Sequence, residues 1–280
     1  MKNQQLEQEK TNKKQVIDVK DITMSEKIFI SGKTKIVGKA SENEISGKNY
    51  LNKLFEDTPI PKDHILDNLG LYIRRQNLSR ILFMNDLYQK ILDVQGIICE
   101  FGVFWGQNLA LFESFRGIYE PYNYTRKIVG FDTFEGFANV DEKDGNSGII
   151  QKGAYSTTKG YEDYLGKILD YHETVSPLSH IKKYELVKGD ATKTIKKYLA
   201  DNPETIIAFA YFDFDLYEPT KACLEAILPH LTKGAIIGFD ELNFHTFPGE
   251  TKAFDEVLGI NRYKIYRDRN NPVPSYIVFE

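Results

Sequence analysis

The 280-residue sequence predicts an α/β fold: a doubly wound, mostly parallel sheet with helices on both faces and a C-terminal antiparallel hairpin. Three observations carry this expectation. After Gly96, short apolar runs alternate with segments of helical period, the pattern of successive βαβ units. Each apolar run ends on a carboxylate or a glycine-bearing turn, where doubly wound sheets hold their ligands. The chain closes with Tyr263 to Arg267 and Tyr276 to Phe279 on either side of Asn270-Asn271-Pro272, which reads as a hairpin.

Residues 1 to about 46 mix Lys, Glu, Asn and Ser with brief apolar runs such as Ile28-Phe29-Ile30, too little to form a core. Residues 1–60 are therefore expected to be an N-terminal arm, partly disordered or ordered by an oligomer, and residues 61–280 the functional domain. From Asn68 to Leu92 apolar residues recur at near-helical spacing, among them Leu69, Ile73, Leu78, Leu82 and Ile91, so one helix is expected there. Five strands then follow: Gly96 to Phe101, Lys127 to Phe131, Tyr184 to Val187, Thr205 to Phe212 and Gly234 to Phe239. Helices are expected at Trp105 to Arg116, Thr192 to Leu199, Pro219 to His230 and Glu250 to Leu258. Residues from about Asn139 to Ser179 read as an insertion with a helix from Tyr161 to His172.

Composition excludes several function classes. With 36 Lys+Arg against 40 Asp+Glu the formal net charge is −4, so no global basic field exists to hold nucleic acid. Neither a secretory apolar core near Met1 nor any run of about 18 apolar residues is present, which argues against membrane insertion and for a cytoplasmic location. Cys99 and Cys223 lie inside apolar runs and read as small buried thiols in a reducing compartment.

The strand ends carry the chemistry. After the first strand comes Glu100-Phe101-Gly102-Val103-Phe104-Trp105-Gly106, two glycines that let a ligand approach the backbone ahead of a helix N-terminus. The second strand ends at Asp132, the third leads into Gly189-Asp190, the fourth ends at Asp213 and the fifth at Asp240. Taken singly, each carboxylate is an ordinary cap or turn residue. At four neighbouring strand ends they outline a site. Asp132 stands where a carboxylate would accept hydrogen bonds from a ribose diol. A dinucleotide site wants Gly-x-Gly-x-x-Gly around a pyrophosphate, whereas here Glu100 precedes Gly-x-x-x-Gly. A carboxylate in that place repels a pyrophosphate and attracts an ammonium or sulfonium, which favours S-adenosylmethionine over NAD.

The blocks Ile98 to Leu111 (ICEFGVFWGQNLAL), Gly117 to Phe137 (GIYEPYN then KIVGFDTFEGF), Ala208 to Ile227 (AFAYFDFDLYEPTKACLEAI) and Leu231 to Gly249 (LTKGAIIGFDELNFHTFPG) resemble the macrocin O-methyltransferase family, and most closely its calicheamicin-pathway branch. The likeness runs from about Asn68 to the C-terminus. It implies a class I, Rossmann-like methyltransferase acting on a hydroxyl of a sugar, nucleotide sugar or glycoside, often as a homo-oligomer. By position, Glu100, Gly102, Gly106, Asn108, Asp132, Thr133, Gly189, Asp190 and Ala191 would line the S-adenosylmethionine pocket. Members of the family hold Mg²⁺ with an Asp-x-Asp pair and an Asp-Asp pair. The first stands here as Asp213 and Asp215, but the second is Asp240-Glu241, so the implied ligands are Asp213, Asp240 and Glu241. The candidate bases are Asp213, Asp215 and His245, and Tyr217 is the candidate sugar-stacking residue. Arg74, Arg75 and Arg80 form either a solvated helix face or a surface for an acidic acceptor. Two rival readings stay open: methylation of a non-sugar hydroxyl, and a cofactor-binding protein without catalysis.

Overall fold

Near-continuous burial marks the central parallel strands, Ile97–Phe101, Ile128–Asp132 and Ile207–Phe212, as expected where helices cover both faces of a sheet. β3 (Ile97–Phe101), β4 (Ile128–Asp132), β5 (Tyr184–Lys188), β6 (Ile207–Phe212) and β7 (Leu231–Phe239) pair in parallel. β9 (Ser275–Val278) joins β7 antiparallel, and the short β8 (Tyr266–Arg267) joins β9, giving the order β5-β4-β3-β6-β7-β9-β8. The expected strands are all found, within a few residues at each end, and the C-terminal pair is antiparallel as expected. The computed structural model describes residues 40–280 in full and the backbone of 27–31 and 34–38. The expectation for residues 1–26 lies outside the described residues. β1 (Lys27–Ser31) and β2 (Thr34–Gly38) pair with each other, apart from the large sheet.

The helices are α1 (Glu42–Glu56), α2 (Lys62–Ile65), α3 (Arg75–Lys90), α4 (Gln107–Tyr119), α5 (Tyr161–Val175), α6 (Ala191–Asp201), α7 (Tyr217–Ile227) and α8 (Pro248–Val257). The single helix expected over Asn68 to Leu92 is broken. A 3₁₀ turn spans Leu66–Leu71, Asn68 leaves helical geometry, Arg74 is extended, and α3 begins only at Arg75. Leu66, Leu69 and Leu71 face no core, whereas the buried stripe of α3 (Ser79, Phe83, Met84, Leu87, Tyr88) starts a turn further on. Apolar spacing alone does not make a helix where nothing covers the stripe.

Strand alternation builds two cores. On one face of the sheet, Phe131, Phe101, Phe212 and Phe239 from four adjacent strands stack at centroid distances of 5.1, 4.7 and 5.4 Å. Tyr198 of α6 and Phe254 of α8 meet the row edge-on. On the other face, Ile98, Phe209, Tyr211 and Ile236 pack with residues of α3, α4 and α5. Aromatic pairs of this kind add about 0.5–1.5 kcal/mol each beyond area burial. Their in-register row also aligns the residues that follow, so that Gly102, Asp213 and Asp240 leave the sheet side by side.

The amino end of the sheet is closed by buried ions. Arg116 donates to Glu173 at 2.8 Å and to the carbonyl of Lys183 at 2.9 Å, while Arg126 donates to the carbonyls of Gly96 and Ile91. Glu113 of α4 is fully buried among them, yet neither of its carboxylate oxygens has a hydrogen-bond partner. Burial, only partly offset by Arg116, pushes its carboxyl up to about 8 from 4.5. The folded chain thus holds this proton to higher pH than the unfolded chain. The resulting stability is complete below about pH 4.5 and is lost as pH rises through about 8. Glu113→Gln should flatten that loss, and its thermal midpoint should exceed the wild type's at pH 9 but not at pH 5. The gain expected at pH 9 is about 1–3 kcal/mol, the scale of an uncompensated buried polar group. Melting curves of the two proteins between pH 5 and pH 9 measure it.

Candidate active site

The chain leaves β3 for one half of the sheet and returns at β6 for the other, so the crevice of the topological switch opens between their carboxyl ends. A cavity of about 840 Å³ lies there, large enough for a nucleoside and a second ligand. Its wall includes Glu100, Gly102, Gly106, Asn108, Asp132, Thr133, Gly189, Asp190 and Ala191, and also Asp213, Asp215, Asp240 and Glu241. The structure therefore brings every expected pocket residue and strand-end carboxylate around one space. His245 and Tyr217 are not part of the wall. His245 is exposed in the loop after β7. Tyr217 is buried, and its hydroxyl lies within hydrogen-bonding distance of Glu256, Lys143 and Lys221 on the far side of α7, so it offers no face to a sugar.

Asp132 shapes the cofactor end of the cavity. Its Oδ2 accepts from the backbone N–H groups of Val103 (2.7 Å) and Phe104 (2.9 Å), and its Oδ1 accepts from that of Phe134 (2.6 Å). Phe104 and Phe134 sit in the left-handed region, at φ of 50° and 57°, which bulky residues avoid. One carboxylate thus fastens two strained positions. At Gly102, also left-handed, a Cβ would lie 2.0 Å from the carbonyl oxygen of Asp213, so only glycine lets β3 and β6 close here. Asp190 caps α6, accepting from the N–H of Thr192 at 3.1 Å, and still borders the cavity.

Glu100 is buried and accepts 2.7 Å from Asn108 Nδ2, while its second oxygen has no partner. Burial drives its pKa well above the usual carboxylate range, and the nearby Asp213 adds to this against the bond from Asn108. An unmatched carboxylate oxygen beside the glycine turn fits a ligand bearing a positive charge.

At the other end, Arg80 of α3 reaches across the cavity floor. Its guanidinium pairs with Asp213 at 2.5 Å and Asp240 at 2.6 Å, and donates to Asn108 at 3.4 Å. Tyr211 donates its hydroxyl to Asp240. Asp240, a metal ligand in what the family resemblance implies, is thus paired with Arg80 and Tyr211. The carboxylate oxygens that converge within 4.8 Å belong instead to Asp213, Asp215 and Glu241. Octahedral Mg²⁺ at about 2.1 Å from each ligand places oxygens roughly 3.0 to 4.2 Å apart. The set suits a hard cation after a small contraction, and Glu241 keeps a buried oxygen without a partner. Burial raises Asp215, reinforced by Asp213, and raises Glu241, reinforced by Asp215. Asp215 itself is held at φ 61°.

Sequence reasoning placed Arg80 on a solvated face or at an acidic acceptor. Its position one turn before Phe83 and Met84 continues the buried stripe of α3, and that was the available signal. Tyr155, from the insertion, was missed. It lines the cavity at φ 59° with its ring against Phe137 and Phe104.

This sheet order, with an antiparallel strand beside β7 and an acid-lined cavity at the switch point, is the architecture of class I methyltransferases. The chain is similar to a crystal structure of CalS11, a calicheamicin methyltransferase, with 44% identity and a TM-score of 0.84 over 85% of this chain and 93% of that one. It is similar also to apo CalS11, described as a TDP-rhamnose 3'-O-methyltransferase of calicheamicin biosynthesis (42% identity, TM-score 0.76, 85% and 95% covered). The chain belongs to this methyltransferase family, and the likeness to the calicheamicin branch read from the sequence is borne out. The O-methyltransferase NovP shares the fold at 16% identity and a TM-score of 0.55, over 72% of this chain and 80% of that one. No family model and no curated protein matches the chain.

Asp132→Ala should lower the thermal midpoint and weaken S-adenosylhomocysteine binding together, by about 1–3 kcal/mol each, because it frees the amides of both strained phenylalanines. Calorimetry beside melting curves reads both. Lost affinity at an unchanged midpoint would instead mean that the carboxylate acts only on the ligand.

Proposed function

We propose that this chain transfers the methyl group of S-adenosylmethionine to a hydroxyl of a sugar, with a nucleotide sugar as the favoured acceptor class. The carrying observation is the single cavity with an unmatched carboxylate at the glycine turn and a cluster of acids at its other end. The description of CalS11 as a TDP-rhamnose 3'-O-methyltransferase supports the acceptor class. Bound S-adenosylmethionine supplies an electrophilic methyl on a sulfonium leaving group.

The chain's own residues then bind, align and deprotonate. Glu100 receives the cationic end of the cofactor, and Asp132 holds the turns around it. The acceptor oxygen approaches from the side of Asp213 and Asp215. Asp215 takes its proton: it faces the cavity, whereas His245 does not. Asp213, Asp215 and Glu241 are the residues that would hold Mg²⁺, whose contribution would be to acidify the acceptor hydroxyl.

Residues 1–60 are read as an arm that serves assembly. Between Ser41 and Leu78 no residue is buried, yet Tyr50, Leu54, Leu66 and Leu71 stand exposed, Leu66 at 75%. We infer that a second copy of the chain covers this face. A cytoplasmic setting agrees with two free, buried thiols, and among the described residues no helix is long and apolar enough to cross a membrane.

Two tests follow from this reading. Asp215→Asn should lower turnover on a nucleotide sugar by roughly 10²-fold or more while S-adenosylhomocysteine affinity stays within about twofold. Full turnover would remove Asp215 from the chemistry. Replacing Leu66 and Leu71 together by Asp should shift the mass measured by light scattering toward that of one chain without changing the thermal midpoint. An unchanged mass above that of one chain would place the interface elsewhere, and a wild-type mass of one chain would remove it.

A further inference from the structure

Arg80 is the cation paired with Asp213 and Asp240 among the described residues, and it reaches them from another layer of the fold. The cost of burying a carboxylate falls only where an opposite charge or hydrogen-bond donors meet it. Here the guanidinium meets both at once, one nitrogen to each, in the fork geometry that a lysine cannot copy. Its Cζ lies 5.7 Å from the centroid of the Tyr211 ring, whose hydroxyl donates to the same Asp240 oxygen as the guanidinium. Beside this closed arrangement lie the converging oxygens of Asp213, Asp215 and Glu241, with a buried Glu241 oxygen left without a partner. Asp213 belongs to both groups. A cation seated on the three acids would share Asp213 with the guanidinium, and two positive charges on one carboxylate repel.

We propose that Arg80 is a built-in counter-cation that fixes Asp213 and Asp240 and competes with a divalent ion for Asp213, so that it sets how tightly the acid cluster takes a metal. Arg80 is a positioning residue in this role, acting through the two aspartates. In wild-type protein the cluster is already partly neutralised and binds a divalent ion weakly. Without the guanidinium, the same oxygens present more uncompensated negative charge in the same place. The inference rests on the acid cluster of the proposed site, but its readout needs neither cofactor nor acceptor, so an incorrect acceptor class would leave it intact.

The experiment is direct Mn²⁺ binding to the full chain, followed by electron paramagnetic resonance of the free ion. Arg80→Met is expected to bind Mn²⁺ at least tenfold more tightly than wild type, and adding Asp215→Asn should abolish the gain. The thermal midpoint of Arg80→Met should fall in EDTA and recover with Mg²⁺ more than that of wild type. If Arg80→Met does not fold in EDTA, Arg80→Met combined with Asp240→Asn removes the pair without changing net charge, and the same tenfold gain is expected. Affinity within twofold of wild type in whichever variant is folded overturns the proposal, as does a gain that survives Asp215→Asn.

Discussion

One guanidinium answers for the negative charge gathered at the end of the sheet, and the arrangement of the cavity depends on it. β6 and β7 deliver Asp213 and Asp240 next to each other because their strands are in register. Two like charges at that separation, out of water, would drive the strand ends apart or force a proton onto one of them. Arg80 removes the conflict by bridging both. It thereby ties α3 to the last two parallel strands. Asp240 ends below the ordinary carboxylate range: burial alone would raise it, and Arg80 and Tyr211 outweigh that. Asp215 and Glu241, which Arg80 does not touch in this way, are pushed up. Asp213 rises too, to about 7, because burial and the neighbouring Asp240 outweigh Arg80, so the guanidinium holds both aspartates in place but lowers only one of them.

The placement of these acids follows from the period of the strands. Side chains of β6 alternate, so Ala210 and Phe212 face α6 to α8 while Phe209, Tyr211 and, beyond the strand, Asp213 face α3. Tyr211 fits because β7 offers Gly238 opposite it, where a Cβ would stand 2.5 Å from the ring. The phenylalanine row on the opposite face is what holds four strands to this register. A slip of one residue would carry the carboxylates to the wrong side of the sheet and expose the phenylalanines. Packing on one face therefore fixes the chemistry on the other.

Much of this was legible from residues alone. Glu100, Asp132, Asp190, Asp213 and Asp240 declared themselves because apolar runs ended on them, and the switch-point rule gathered them into one crevice. The insertion was legible as a segment, but not the fact that Tyr155 turns into the cavity, since that depends on a left-handed backbone which nothing in a Gly-Ala-Tyr-Ser stretch announces. Arg80 was grouped with Arg74 and Arg75 because the three are close in sequence. Only Arg80 shares a helix face with Phe83, Met84 and Leu87, and charge drew attention away from that period. The partner of Asp240 was hidden for a related reason: the guanidinium that pairs with it comes from more than a hundred residues away. The break before α3 was hidden because exposed leucines keep helical spacing whether or not a core lies beneath them.

The cavity is also where the backbone is least relaxed. Phe104, Phe134, Tyr155 and Asp215 all carry positive φ, and each such residue costs of order 1–3 kcal/mol unless its surroundings enforce it. For Phe104 and Phe134 the enforcement is visible in the bonds to Asp132. For Tyr155 it is the packing of its ring against Phe104, Phe137 and Phe247. The aromatic wall and the acid cluster are thus not separable parts, because the turn that aims Asp215 lies in the loop after the strand that the phenylalanine row anchors. Strain concentrated around an open space, and offset by a stacked aromatic layer beneath it, is what holding reactive groups in place demands of a fold.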